Sequence, residues 1–110
     1  MSNFQATGGI WAPIRAKLTT SAVTTVVAAG KGTALVNLHV RNLTNSTPTV
    51  TVAIYDGTNR YYLAYVVPMT AYGVYEFTMG AALNRLEAVE VSISANSADV
   101  TGIYATNSQQ

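Results

Sequence analysis

The chain has 110 residues, a net charge of +1 at pH 7 and no cysteine, which predicts one domain and excludes disulfides, thiolate metal sites and a cysteine nucleophile. The near-neutral charge argues against nucleic acid as a partner, because contacts to phosphate groups supply most of that affinity. Charged residues make up 10% of the chain and hydrophobic ones 49%, whereas ordinary soluble domains carry about 25% charged residues, so we expect a surface that other protein covers.

The two ends of the chain are polar or glycine-bearing. Residues 1–10 predict an N-terminal arm, residues 11–106 a single domain and residues 107–110 a C-terminal tail. The start, Met1–Gln5, has no basic region followed by an apolar run, so we expect no secretory signal and synthesis in the cytoplasm. The longest apolar segment, Tyr61–Met69, is far shorter than the roughly 18 residues of a membrane helix. We therefore expect no membrane partner.

Period-two alternation of apolar and polar residues predicts short strands along the chain. They are expected at Ile14–Thr20, Ala22–Ala28, Thr33–Leu43, Thr49–Tyr55, Tyr61–Met69, Gly73–Thr78, Val89–Ser94 and Val100–Ala105. In Thr33–Leu43, one face should carry Ala34, Val36, Leu38 and Val40, and the other Leu35, Asn37, His39 and Arg41. About eight strands at this spacing predict an all-β fold, an antiparallel β-sandwich or jelly roll. The one helical candidate, Met79–Glu87, is so short that we expect a loop with a 3₁₀ turn.

Few side chains could perform acid–base or metal chemistry. His39 is the single histidine, and no motif ties it to a second ligand or nucleophile, so we expect a half-exposed strand residue. The segment Asp56–Asn59 lacks the acidic density of a calcium loop and predicts a hairpin turn. Glu76 is the unusual carboxylate, because it lies in the middle of a strand, where an arginine of another subunit could pair with it: Arg41, Arg60 or Arg85. We expect no catalytic residue, no metal, no cofactor and therefore no enzyme.

Tyrosines cluster around the Asp56–Asn59 hairpin. Alternation should place Tyr61, Leu63, Tyr65 and Val67 on one face of their strand, and Tyr62, Ala64 and Val66 on the other. Neither face is polar, so the core should cover one side and a partner the other. Tyrosine suits a protein interface because it joins an apolar body to a hydrogen-bonding tip, although tyrosines also stack on sugars or simply fill a core. The expected interface residues are Trp11, Arg41, Arg60, Tyr61, Tyr62, Tyr65, Tyr72 and Tyr75.

The run from Leu18 to Val36 resembles the opening of small β-sandwich virion proteins of tailed bacteriophages. In that pattern LTTSA, a strand and AGK lead into a strand that ends in a loop rich in Asn and Thr, which here is His39–Thr47. The TVTV of Pro48–Tyr55 continues the resemblance, as does Val89–Ala95 with the Ala-Asp-Val that follows. The similarity covers residues 11–105, apart from the tyrosine-rich segment.

This resemblance implies a virion structural protein without catalytic residues. A capsid decoration protein, which stabilises the phage head through contacts between subunits, is the leading expectation. Its partners would be copies of itself, as a trimer or another oligomer, and other virion proteins such as the major capsid protein. A tail or tail-fibre component is one alternative, and a carbohydrate-binding adhesion module is another.

Overall fold

The computed structural model describes residues 10–106, and every regular element in that range is a strand. The C-terminal tail and residues 1–9 of the expected arm lie outside the described residues, while Ile10 opens the first strand. Between residues 10 and 106 no helix occurs that could cross a membrane. The strands are β1 (Ile10–Leu18), β2 (Thr24–Val27), β3 (Ala34–Asn42), β4 (Thr49–Tyr55), β5 (Arg60–Pro68), β6 (Val74–Phe77), β7 (Ala81–Ala82), β8 (Ala88–Ile93) and β9 (Ala98–Thr106).

The strands form two antiparallel sheets that pack face to face. Sheet A has the order β1-β9-β3-β6, with the two-residue strand β7 also paired to β3, and sheet B has the order β2-β8-β4-β5. Apart from β7, the eight strands lie four to a sheet in the order of a jelly roll, and the chain changes sheets at every connection except the β4–β5 hairpin. Since β1 also contacts β2, these two strands share one flank of the sandwich, and β5 lies on the other. The predicted all-β antiparallel sandwich is confirmed.

One apolar core fills the space between the sheets. In β8, Val89, Val91 and Ile93 are buried, as the alternation predicts. They join Ile14 of β1, Leu38 of β3 and other buried residues in a single cluster drawn from both sheets. Burial of each such side chain contributes about 1.5–3 kcal/mol to folding, so this cluster is the main stabilising element of the fold.

A β-bulge in β3 changes the faces that alternation predicts. The pairing of β3 with β9 shifts between Leu35 and Asn37. Leu35 therefore lies in the core with Leu38, whereas Val36 is only partly buried, so the predicted opposition of these residues is wrong. At the bulge, a Cβ on Gly102 would overlap the carbonyl oxygen of Asn37. The close approach of the two backbones requires glycine at position 102.

The segment Met79–Glu87 forms no helical turn. Its Ala81–Ala82 pairs with β3 as β7, and a β-turn follows in which the backbone N–H of Glu87 donates to the Asn84 carbonyl at 3.1 Å. The Glu87 carboxylate accepts a hydrogen bond from the backbone N–H of Asn84 at 2.7 Å. Pairing with β3 satisfies backbone groups that a short isolated helix would leave exposed, and the expected 3₁₀ turn is therefore wrong.

The side chain of Asn42 joins the two sheets at one end of the sandwich. It is fully buried at the end of β3, and its Nδ2 donates to the carbonyls of Ser46 and Thr70 at 3.0 Å each. Its Oδ1 accepts from the backbone N–H of Thr44 at 2.9 Å and from the Thr44 hydroxyl at 2.7 Å. Thr44 and Ser46 lie in the β3–β4 connection and Thr70 in the β5–β6 connection. One carboxamide, with its full hydrogen-bonding capacity in use, thus ties together two of the connections that cross between the sheets.

Replacing Asn42 with Ala removes these hydrogen bonds and leaves the Ser46 carbonyl and the Thr44 backbone N–H, at this partly buried end of the sandwich, without these partners. We expect the free energy of unfolding to fall by about 3 kcal/mol. Asn45→Ala, at an exposed position of the adjoining loop, is the matched control and should change it by less than about 0.5 kcal/mol. Urea titration measures both variants. Equal stability of the two variants would contradict the role assigned to Asn42.

Candidate interaction surface

Two β-bulges decide which side chains of β5 point away from the core. The register of β5 on β4 shifts on both sides of Val52, and each shift adds one residue to β5. As a result Ala64 pairs with Val52 and is buried, while Tyr62 pairs with Ala53 on the outer face of sheet B. The predicted two-residue alternation along this strand is therefore wrong, since the extra residues reset it twice.

The rings of Tyr62 and Tyr65 contact each other on that outer face. Their centroids are 4.7 Å apart and their planes meet at 64°, an edge-to-face arrangement. Strict alternation would have placed these residues on opposite faces, but the extra residue between them brings both outward. Tyr62 is 50% exposed and Tyr65 66% exposed, so their mutual packing, worth about 0.5–1.5 kcal/mol, orders two rings that remain open to a partner.

The two charges beside these rings neutralise each other. Arg60 donates from Nε to the Glu90 carboxylate at 2.7 Å, and its guanidinium lies 4.2 Å from the centre of the Tyr55 ring. This hydrogen bond raises the pKa of Arg60, and the Glu90 side chain is only 10% exposed. Arg60 thus pairs with Glu90 of its own chain.

The outer face of sheet B, which carries these rings and this ion pair, is called the tyrosine face below. It comprises Thr25, Thr51, Ala53, Tyr55, Arg60, Tyr62, Tyr65, Glu90 and Ser92.

Tyr61 lies apart from the tyrosine face. It pairs with the core residue Ile54 and lines an open cleft of about 680 Å³ between the Asp56–Asn59 hairpin and the turn at residues 84–87. Its hydroxyl is 3.5 Å from the Asp56 carboxylate. Two backbone N–H groups of the hairpin also donate to that carboxylate and lower the pKa of Asp56. The hairpin is therefore the turn that the sequence predicts.

Tyr72 and Arg41 lie together at one end of sheet A. Arg41 donates from Nη1 to the Tyr72 carbonyl at 3.2 Å, and the Tyr72 ring is exposed. Tyr75 differs, because it pairs with the buried Val40 and packs, partly buried, against the core. Burial raises the pKa of Tyr75. The three residues therefore form no continuous surface with Tyr62 and Tyr65, and their place in an interface stays a prediction.

Trp11 lies on the opposite flank of the sandwich. It is 65% exposed on β1, the edge strand of sheet A that is farthest from β6. Because Ile14 of the same strand is buried, alternation turns Trp11 to the outer face, and the residues paired across the sheet share that face. We call this surface the tryptophan patch; it comprises Trp11, Pro13, Ala34, Asn37, Ala82, Ile103 and Ala105.

The outer face of sheet A carries its charges in the half beyond the tryptophan patch, beginning with Arg15 at the border of that patch. Lys17 donates to the Asp99 carboxylate at 2.7 Å, and His39 Nε2 lies 4.0 Å from Glu76 Oε2. The half-exposed position predicted for His39 agrees with its side chain, which is 37% exposed. Among residues 10–106 no cluster of three or more His, Cys, Asp and Glu side chains could hold a metal ion.

The edges of both sheets are unsuited to adding a strand from another chain. Pro13 interrupts the hydrogen-bonding groups of β1, and β5 contains two bulges before it ends at Pro68. At the remaining edges, β2 and β6 are only four residues long, and β2 also contains an irregularity. Short strands, prolines and bulges are the devices that prevent pairing between sheet edges. Contacts with other proteins are therefore favoured at the faces of the sandwich.

Viral capsid proteins share this fold. The chain aligns with a pentameric capsid protein isolated from metagenomic phage sequences at 17% identity and a TM-score of 0.56, covering 87% of this chain and 64% of that one. A second structure with that description aligns at 16% identity and 0.52, covering 87% and 65%. A chain of infectious bursal disease virus, Gx strain, aligns at 12% identity and 0.52, covering 92% and 33%. The chain thus spans less than two thirds of each of these proteins. No family model and no curated protein matches the sequence.

Val66 is strained at the bulge that follows Tyr65. Its φ of 52° lies in the left-handed region, which a β-branched residue rarely adopts, and its backbone N–H donates to the Thr51 hydroxyl at 3.1 Å. Such strain costs of the order of 1–3 kcal/mol and is often found at functional sites. Here it accompanies the turn of the chain that leaves Tyr65 on the outer face.

Replacing Val66 with Gly should raise the free energy of unfolding by about 1 kcal/mol, because glycine adopts this φ without strain. Val74→Gly, at an exposed position of the edge strand β6, should lower it by about 1 kcal/mol, since glycine weakens an ordinary strand. Urea titration compares both with the unaltered protein. A loss of stability in Val66→Gly as large as in Val74→Gly would show that Val66 is not strained.

Proposed function

We propose that this protein is a non-enzymatic structural component of a phage virion, which decorates the capsid by burying its tyrosine face against neighbouring protein subunits. The observation that carries the proposal is that the side chains of the tyrosine face are already ordered and its charges already paired before any partner binds. Tyr62 and Tyr65 are exposed yet already packed against each other, and the charges beside them are already paired.

Each of these features lowers the cost of binding another protein. Ordered rings lose little conformational freedom when a partner covers them. When a partner covers Arg60 and Glu90 and removes water from them, neither charge is left unpaired, because the two groups already form a hydrogen bond. Tyrosine and arginine are also the residue types that contribute most to interface hot spots. The surface is therefore suited to permanent contact between protein subunits.

The fold and the edges of the sheets support the same role. Jelly rolls are common in shells of viruses, and the solved structures that share this fold include pentameric capsid proteins from metagenomic phage sequences and a chain of infectious bursal disease virus. That likeness favours the head of the virion over the tail or tail fibre. The partners in this proposal are copies of the chain and the major capsid protein, and the contacts use sheet faces because the edges are blocked.

Purified protein is expected to be oligomeric, and Tyr62→Ala/Tyr65→Ala should weaken the association at least about a hundredfold, since two hot-spot side chains are lost. Tyr61→Ala is the matched control, because Tyr61 lies on the same strand with similar exposure but outside the tyrosine face. Light scattering over a range of concentrations measures the mass of each variant, and circular dichroism checks the fold. A monomeric unaltered protein at the highest concentration, or unchanged mass in the double variant, would contradict the proposal.

The cleft beside Tyr61 favours glycan binding as a second candidate function. The half-exposed Tyr61 ring offers a surface for a sugar ring, and the carboxylates of Asp56 and Glu87 line the same cleft. Backbone hydrogen bonds hold both carboxylates in place. Fixed acceptors around an aromatic ring suit the hydroxyl groups and the apolar face of a saccharide.

A glycan array separates the two functions. If the cleft binds sugar, the unaltered protein and Tyr62→Ala/Tyr65→Ala should bind the same glycans, whereas Tyr61→Ala should lose at least about tenfold in affinity, the loss of one stacking contact. Absence of binding by the unaltered protein would rule out this candidate. The double variant thus serves as the control here, and Tyr61→Ala serves as the control in the mass measurement.

A further inference from the structure

We infer that copies of this chain associate head to tail, with the tyrosine face of one copy covering the tryptophan patch of the next. The inference rests on the proposed function, in which the tyrosine face binds other subunits, and it adds the surface that meets that face. The partner is a second copy of this chain.

The two surfaces lie on the outer faces of different sheets, and their large aromatic side chains lie on opposite flanks of the molecule. The rings of Tyr62 and Tyr65 belong to β5, an edge strand of sheet B, and Trp11 belongs to β1, an edge strand of sheet A. The contact of β1 with β2 places the patch beside the far edge of sheet B. A copy whose tyrosine face is covered therefore still presents its tryptophan patch. Such an arrangement permits a chain of copies with the same contact repeated.

The two surfaces also match in charge. Every residue of the tryptophan patch is uncharged, and the tyrosine face contains one ion pair, Arg60 with Glu90. Arg15 is the charged residue nearest the patch on the outer face of sheet A; it is exposed and lies at the border of the patch, on the same strand as Trp11. Contact confined to the two surfaces thus places no unpaired charge between them, and the net charge of +1 opposes association little.

Shape favours this contact over pairing of the tyrosine face with itself. Tyr62 and Tyr65 are large exposed rings, whereas Trp11 is followed across the sheet by three alanines, Ala105, Ala34 and Ala82. Protruding rings pack closely on a surface of small residues beside one large aromatic side chain. A second tyrosine face would offer these rings either another pair of rings or the hydroxyl groups of its threonines and its serine, and covering hydroxyl groups without new hydrogen bonds costs free energy.

A contact between two different surfaces has a defined consequence for assembly. Repetition of a head-to-tail contact gives a ring if the rotation between copies closes and an open filament if it does not. A discrete mass at all concentrations above the association threshold indicates a ring, and a mass that grows with concentration indicates a filament. Both results agree with the inference, whereas a mass that stops at a dimer overturns it.

Mixing two variants tests the contact directly. Trp11→Ala alters the patch and keeps the tyrosine face, and Tyr62→Ala/Tyr65→Ala does the reverse. Each alone should associate at least about a hundredfold more weakly than the unaltered protein. An equimolar mixture should form dimers of one copy of each variant and nothing larger. In such a dimer the intact tyrosine face of Trp11→Ala covers the intact patch of the double tyrosine variant, and both remaining surfaces are altered. Mass photometry or light scattering on the mixture, with one variant tagged for capture, measures this composition.

Leu86→Ala is the matched control for Trp11→Ala, because Leu86 is 66% exposed and lies outside both surfaces; it should leave the mass unchanged. If the double tyrosine variant dissociates but Trp11→Ala keeps its mass, or if the mixture stays monomeric, the head-to-tail contact is wrong while the proposed function stands. A monomeric unaltered protein overturns the proposed function itself, and the inference with it.

Discussion

The buried carboxamide of Asn42 is the constraint on which the arrangement of this sandwich depends. Sheet B receives the chain from sheet A through the β3–β4 connection and returns it through the β5–β6 connection. Asn42 holds both connections by hydrogen bonds to Ser46, Thr44 and Thr70. The backbone N–H of Met69, which donates to the Pro48 carbonyl at 2.8 Å, joins the same two segments. The outgoing and returning strands are thereby fixed relative to each other, and a burial cost that would be high for an unpaired amide is removed.

With that end fixed, β5 has more residues than the neighbouring part of β4 can pair. The two extra residues become bulges. The bulges lower the stability of the fold but create an aromatic surface. They place Val66 in a conformation that costs energy, yet they bring Tyr62 and Tyr65 together on the outside. They also block the edge of sheet B against strand addition. The same local irregularity thus prevents one kind of association and creates the surface for another.

Much of the fold was readable from local patterns. The alternation of Val89, Val91 and Ile93 matches their burial, and the predicted strand Thr49–Tyr55 has the bounds of β4. The failures of alternation occur at bulges, in β3 at Leu35 and throughout β5. A bulge depends on the strand across the sheet, so no periodicity within one strand reveals it. Only the bulge in β3 has a signal in the sequence. That signal is Gly102, a glycine within the strand β9 that pairs with β3.

The sequence by itself determined the fold class, the hairpin at Asp56–Asn59 and the low charge of the surface, because these follow from residue types and their local spacing. The tertiary structure alone decided how the tyrosines are distributed. It separated Tyr61 and Tyr75 from Tyr62 and Tyr65 and paired Arg60 with Glu90, which is thirty positions away. It also placed Trp11 on the opposite flank. The physical reason is that register, bulges and the order of strands in a sheet arise from pairing between distant segments, whereas alternation records only the preference of each segment alone.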